Sequence, residues 1–191
     1  MADNFYAVLS RMKYIKRWGL MRSTREENLS EHTLETAFIA HSLALIGNRR
    51  LGKNYDAGQA VLTALYHDAT EIITGDLPTP VKYYNTEIKD VYKNIESVAG
   101  DRLIKMLPED LREDYSPLIH SENSEYHTLI KAADKLSAYI KCIEEENMGN
   151  NEFSVAASST EKAIKALNCE EADIFLKEFI PAYRLTLDEQ A

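Results

Sequence analysis

The sequence predicts an all-α protein organised as a single domain over residues 1–191. Three observations carry this. Apolar residues recur at helical spacing in nearly every segment, no stretch sustains strand alternation, and prolines and glycines gather at a few breaks between helices. A chain of 191 residues is long enough to bury one sizeable core.

Residues 5–17 carry Phe5, Val8, Leu9, Met12 and Ile15 on one helical face, and the pattern ends before Gly19. Asn28 or Ser30 caps a second helix, with Glu31 in its first turn; it runs to about Asn48. That helix is apolar on most sides and is expected to be central and buried, with His41 in the core among Leu34, Ala37, Phe38 and Leu45. Asp56 starts a third helix that runs to His67 and Asp68. Residues 74–80, Thr-Gly-Asp-Leu-Pro-Thr-Pro, hold too many breakers to continue it and form a shaped loop. A helix over about 86–106 follows, then a short one opened by Pro108. Residues 125–146 are strongly amphipathic, with Tyr126, Leu129, Ile130, Ala133, Leu136, Ile140 and Ile143 on one face; residues 147–151, including Gly149, stop this helix. Two further helices complete the chain. The run Glu144-Glu145-Glu146 reads as a solvated face.

The formal net charge of -9 argues against a nucleic-acid polymer as partner, because such partners need a basic footprint. A small anion needs only a few local cations. Up to Arg25 the chain holds Arg11, Lys13, Lys16, Arg17, Arg22 and Arg25 against Asp3 alone, either a solvated face or an anion-receiving rim. No apolar run approaches the roughly 20 residues of a membrane helix. The opening Met-Ala-Asp-Asn lacks the basic and apolar stretches of a signal peptide. Cys142 and Cys169 are far apart and are expected as ordinary thiols, so a cytoplasmic location is expected.

One constellation points to chemistry. His67 and Asp68 are adjacent at the end of an apolar helix, His32 opens the helix before it, and Asp134 lies at the margin of the apolar face of 125–146. Singly, each has an ordinary explanation: a first-turn surface histidine, a chance dipeptide, an acid paired with Lys131 or Lys135. Together, two imidazoles and two carboxylates at the edge of a core cost free energy unless something satisfies them, and one shared cation does so. This mixed nitrogen and oxygen set suits a borderline divalent ion, which lowers the pKa of water and stabilises charge on phosphoryl oxygens. Glu71, one turn after the dyad, lies beside it if the helix continues. His120 and His127, in polar surroundings, are given no role.

The motifs Trp18, Glu31-His32, Tyr66-His67-Asp68-Ala69-Thr70-Glu71, Gly75-Asp76-Leu77-Pro78-Thr79-Pro80-Val81-Lys82 and Lys131-Ala132-Ala133-Asp134 closely resemble those of the bacterial HD-domain 5′-deoxynucleotidases. The likeness extends over almost the whole chain. It implies an HD-type helical bundle, a homodimer, and hydrolysis of deoxyribonucleoside 5′-monophosphates to deoxynucleosides and phosphate. It implies one divalent ion, cobalt or manganese favoured, with zinc, copper or iron also suited, held by His32, His67, Asp68 and Asp134. Glu71 matches the catalytic acid. Arg17 and Trp18 match residues that orient the phosphate and crowd the sugar, and Asp76, Leu77, Pro78 and Thr79 match the loop lining the nucleotide pocket. His32, Asp68 and Asp134 are expected to touch substrate as well. Asp76 either contacts the sugar hydroxyl or assists proton transfer, and both roles stay open. Arg17 is a permanent cation able to engage two phosphate oxygens, and a rigid indole against C2′ excludes a ribose hydroxyl by volume. Two other readings use the same residues: a phosphodiesterase or nucleoside triphosphate hydrolase, and a nucleotide-binding regulator without turnover.

Overall fold

The computed structural model describes residues 4–82, 84–121 and 124–190, apart from the side chains of residues 79 and 80. Ten α-helices run through the described residues: α1 (Phe5–Leu9), α2 (Leu29–Arg50), α3 (Ala57–Tyr66), α4 (Glu71–Thr74), α5 (Thr79–Lys82), α6 (Thr86–Ile104), α7 (Arg112–Ile119), α8 (His127–Asn147), α9 (Ser154–Lys165) and α10 (Glu170–Glu178). Short 3-10 turns join several of them. Among the described residues no helix is long and apolar enough to cross a membrane.

Helix α2 starts where the sequence places it. The Asn28 side chain accepts hydrogen bonds from the backbone N–H groups of Ser30 and Glu31, and the Glu31 carboxylate accepts from the Asn28 N–H. Asp56 caps α3 by accepting the Gln59 N–H, and Asn85 caps α6 by accepting the Ile88 N–H, each without the reciprocal bond. The core lies where α2, α3 and α8 meet, with α9 and α10 closing it. All seven apolar residues expected on one face of α8 are buried there. A second cluster, around Phe5, Ala69, Leu103, Leu107 and Ile119, packs α1 against α6 and α7. Cys142 and Cys169 are free and buried, and burial pushes both thiols up to about 12.

Three expectations are corrected. The first helix does not reach residue 17: it becomes a 3-10 turn over Ser10–Tyr14, then extends at Ile15. The extended piece pairs antiparallel with the run into α2, through a Lys16–Asn28 bridge and hydrogen bonds from the N–H of Arg17 to Glu27 O (3.0 Å) and of Leu29 to Ile15 O (2.9 Å). His41 is not in the core. It is exposed with Leu34, Phe38 and Leu45, because α2 turns its Ala37, Ala40, Leu43 and Ala44 edge inward, where small residues allow close helix approach. Glu145 is not solvated. It is fully buried, accepting from Lys141 Nζ, Thr24 N and Oγ1, and Asn150 Nδ2.

Candidate metal and nucleotide site

Three elements bring four side chains together. His32 projects from the first turn of α2, His67 and Asp68 from the turn that ends α3, and Asp134 from the middle of α8. One ligand atom from each of the four lies within 4.8 Å of all the others. His32 Nε2 stands 3.1 Å from Asp134 Oδ1 and 3.6 Å from Asp68 Oδ2; His67 Nε2 stands 3.2 Å from Asp68 Oδ2. Both imidazoles are held by their other nitrogen. His67 Nδ1–H donates to the carbonyl of Ala64 at 2.7 Å. The Ser137 hydroxyl donates to Glu35 Oε2 (2.9 Å), so it must accept from His32 Nδ1–H (3.0 Å). Each ring therefore turns Nε2 into the cluster, the orientation that such outer hydrogen bonds give a metal-binding histidine.

The electrostatics favour a cation there. Burial raises the Asp68 carboxyl, but the charge and hydrogen bond of His67, with His32 behind, outweigh it and hold it at about 2. Burial is likewise outweighed at Asp134, where the hydrogen bond and charge of His32, with His67 and Arg17, keep the carboxyl well below the usual range. At His67 the two carboxylates overcome burial and lift the ring to about 9, whereas burial and Arg17 keep His32 low. His67 Nε2 is buried with no aligned hydrogen-bond partner. Two ionised acids around an imidazole drawn toward its cationic form make a pocket that attracts positive charge, and the donor set fits a divalent transition ion.

Beside the cluster opens a cleft of about 690 Å³, lined by Arg17, Trp18, Asp76, Leu77, Pro78 and Asp134 on one side and by α9 on the other. Arg17 reaches Asp68 with Nη1 at 3.7 Å. Of the N-terminal cations only Arg17 joins the site: Arg11 and Lys13 lie over Tyr14, while Lys16, Arg22 and Arg25 pair with Glu26, Glu152 and Glu31. Gly75 takes φ +76 and turns the chain so that Asp76 to Pro78 face the cleft. The helix does not continue from α3 into α4, yet the tight turn of residues 67–70 still buries Glu71 against the site. Burial, then the charges of Asp68 and Asp76, push its carboxyl up to about 9, and Oε2 has no partner. Burial raises Asp76 too. The side chain of Thr79, expected to line the pocket, lies outside the described residues.

The family model described as 5′-deoxynucleotidase YfbR-like matches residues 4–183. The chain belongs to the YfbR-like family. A 5′-deoxynucleotidase YfbR from Escherichia coli strain ATCC 8739 is 50% identical over 189 residues, which cover 98% of this chain and 95% of that protein. The same identity and coverage hold for its counterpart in strain SMS-3-5. Among solved structures, an HD-domain phosphohydrolase from Listeria innocua superposes with a TM-score of 0.80 at 22% identity, covering 94% of this chain and 88% of the other. A cyanophage S-2L HD phosphohydrolase, bound to dA and one catalytic zinc ion, superposes at 0.66 with 19% identity, covering 92% and 95%. The YfbR-like chain thus has the expected all-α HD fold.

Three residues at this YfbR-like site stand out only in the folded chain. Glu35 and Ser137 form the relay behind His32, and each lies three residues beyond a cluster member on its own helix, so helical spacing was the available signal. Glu27 contacts Arg17 and Trp18 from the opposite strand of the Lys16–Asn28 bridge. Its position depends on a turn that no local pattern announces.

Proposed function

We propose that this chain is a metal-dependent 5′-deoxynucleotidase that hydrolyses deoxyribonucleoside 5′-monophosphates to deoxynucleosides and phosphate. The convergence of His32, His67, Asp68 and Asp134 within 4.8 Å, at the edge of a nucleotide-sized cleft, carries this reading. The four side chains hold one divalent ion, cobalt or manganese favoured, with zinc, copper or iron also compatible with the donors. When bound, the ion supplies water activation and charge stabilisation on phosphoryl oxygen. Arg17 binds the phosphate through the guanidinium edge that faces Asp68. Trp18 walls the sugar side, and its indole excludes a 2′-hydroxyl. Glu71 holds or accepts a proton at its unpartnered Oε2, and Asp76 meets the sugar hydroxyl or assists that transfer. His32, Asp68 and Asp134 border the position of the phosphate.

The same reading makes the protein a cytoplasmic homodimer. Ile88, Val91, Ile95 and Val98 stand exposed at alternating three- and four-residue spacing along α6, a pattern suited to a helix of a second copy. Two free, buried thiols support a reducing compartment. The net charge of -9 supports a small nucleotide rather than a polymer as partner.

Phosphate release from dAMP and AMP tests the function, measured after chelator stripping and again with cobalt restored. Release that prefers dAMP and needs the metal is the expected result. Pyrophosphate or tripolyphosphate released from dNTPs would favour a triphosphate hydrolase. Equal rates on dAMP and AMP would remove the sugar selectivity while leaving a phosphatase.

A further inference from the structure

One carboxylate touches both residues assigned to substrate recognition. Glu27 Oε2 accepts the indole Nε1–H of Trp18 at 2.7 Å, and Oε1 lies 3.2 Å from Arg17 Nε, with both side chains of that ion pair only 11% exposed. We infer that Glu27 is a positioning residue that fixes Arg17 and Trp18 as one unit, so that phosphate anchoring and rejection of the ribose hydroxyl depend on a single carboxylate. This rests on the nucleotidase reading above.

Each contact restricts a different freedom. Charge attraction draws the planar Arg17 guanidinium to Glu27, although Nε makes no aligned hydrogen bond there, and Nη1 of the same group stands 3.7 Å from Asp68 at the metal cluster. Trp18 sits at φ +59, a left-handed backbone that is strained for a residue with a side chain. Its indole needs anchors to stay there. Glu27 supplies one and the Phe153 ring, 5.3 Å away between centroids, the other. Glu27 also balances the buried Arg17 charge when no phosphate is bound.

Glu27 is not a fifth ligand. It lies 3.6 Å from His32 Nδ1, on the side of the ring turned away from Asp68 and Asp134. Nor is the strand pairing made by this side chain, since the Arg17–Glu27 contact there is backbone to backbone. The side chain is therefore separable from the scaffold.

Metal-loaded Glu27→Gln and Glu27→Asp proteins test the inference. Gln removes the charge; Asp keeps it but is one methylene too short to hold both partners. For Glu27→Gln we expect wild-type metal content, a KM for dAMP raised about tenfold with a smaller change in kcat, and a dAMP-to-AMP preference in kcat/KM reduced about tenfold. Glu27→Asp should fall between the two. Trp18 is the only tryptophan in the chain, so its emission without substrate reports the indole directly and should shift in both variants. Melting by circular dichroism identifies a variant that fails to fold, and the reading is then taken on the other. A folded variant with wild-type sugar preference overturns the inference, whatever its emission. A wild-type protein inactive on every dNMP defeats the nucleotidase reading instead, while the Trp18 emission still tests whether Glu27 holds the indole.

Discussion

Asp68 and Glu71 are three residues apart on one turn, yet their removal should have different consequences. Asp68 belongs to the charge-attracting cluster, with its Oδ2 within 3.7 Å of Arg17 and both histidines. Glu71 is only 5% exposed and keeps Oε2 unpaired, a stability cost that marks the oxygen as a candidate for a chemical role. Glu71→Gln should keep about one metal ion per chain and lose turnover by about a hundredfold or more, the usual range for a lost general acid or base. Asp68→Ala should lose both. Metal analysis beside a phosphate assay separates the two, and full metal content in Asp68→Ala would contradict the ligand assignment. The convergence of His32, His67, Asp68 and Asp134 was legible in the sequence because the chemistry restricts residue type: few structures need His, His-Asp and a distant helical Asp at a core edge. Glu27 was not legible. An acid in the polar run Arg25-Glu26-Glu27-Asn28 has no distinguishing composition, and only the antiparallel bridge sets it against Arg17.

Helix α8 carries Asp134 near its middle and Glu145 in its last turns, and its C-terminal half was misjudged from sequence for a physical reason. Three consecutive acids suggest solvent, but a helix turns 100° per residue, so the middle one can face inward while its neighbours do not. Glu145 faces in and gathers Thr24, Asn150 and Lys141 around it. Lys141 Nζ also donates to the Arg25 carbonyl at 2.6 Å, so this buried pair pins the loop that leads to Glu27 and α2. Glu145→Ala should cost about 3 kcal/mol, because it leaves the Lys141 ammonium buried without its counter-charge. Burial raises the Glu145 carboxyl, but hydrogen bonds from Lys141, Thr24 and Asn150 outweigh it and hold it well below the ordinary carboxylate range. A depressed folded-state pKa adds stability that is present above the unfolded value of about 4.3 and is lost as pH falls below it. Urea unfolding between pH 7 and pH 3 should therefore show a shallower acid loss in Glu145→Gln than in the wild-type chain. Equal slopes would mean that the carboxylate contributes nothing through its ionisation.

At the scale of the molecule, the helix order and the caps of α2 and α3 could be read from periodicity and capping residues, whereas helix orientation could not. Leu34, Phe38 and Leu45 look like core on α2, yet they are exposed, because the smaller Ala37, Ala40 and Ala44 let α3 and α8 approach more closely. Sequence supplies an apolar stripe; the packing partners decide which part of a broad stripe goes inside. The same three elements carry the cluster, so an ion there ties α2, the end of α3 and α8 across the core. Without it, Asp68 and Asp134 remain two neighbouring ionised acids, partly offset by the histidines. A ligand that binds only the folded state stabilises it by about 4 kcal/mol at a thousand times its Kd, which for a chain of this size raises Tm on the order of 10 °C. Chelator-stripped protein titrated with cobalt or manganese should show that rise, growing with the logarithm of metal concentration. Asp134→Ala, which removes the ligand from α8, should abolish most of it. If the variant gained as much as the wild-type chain, the ion would be binding elsewhere, and the link between α8 and the two histidines would have to be given up.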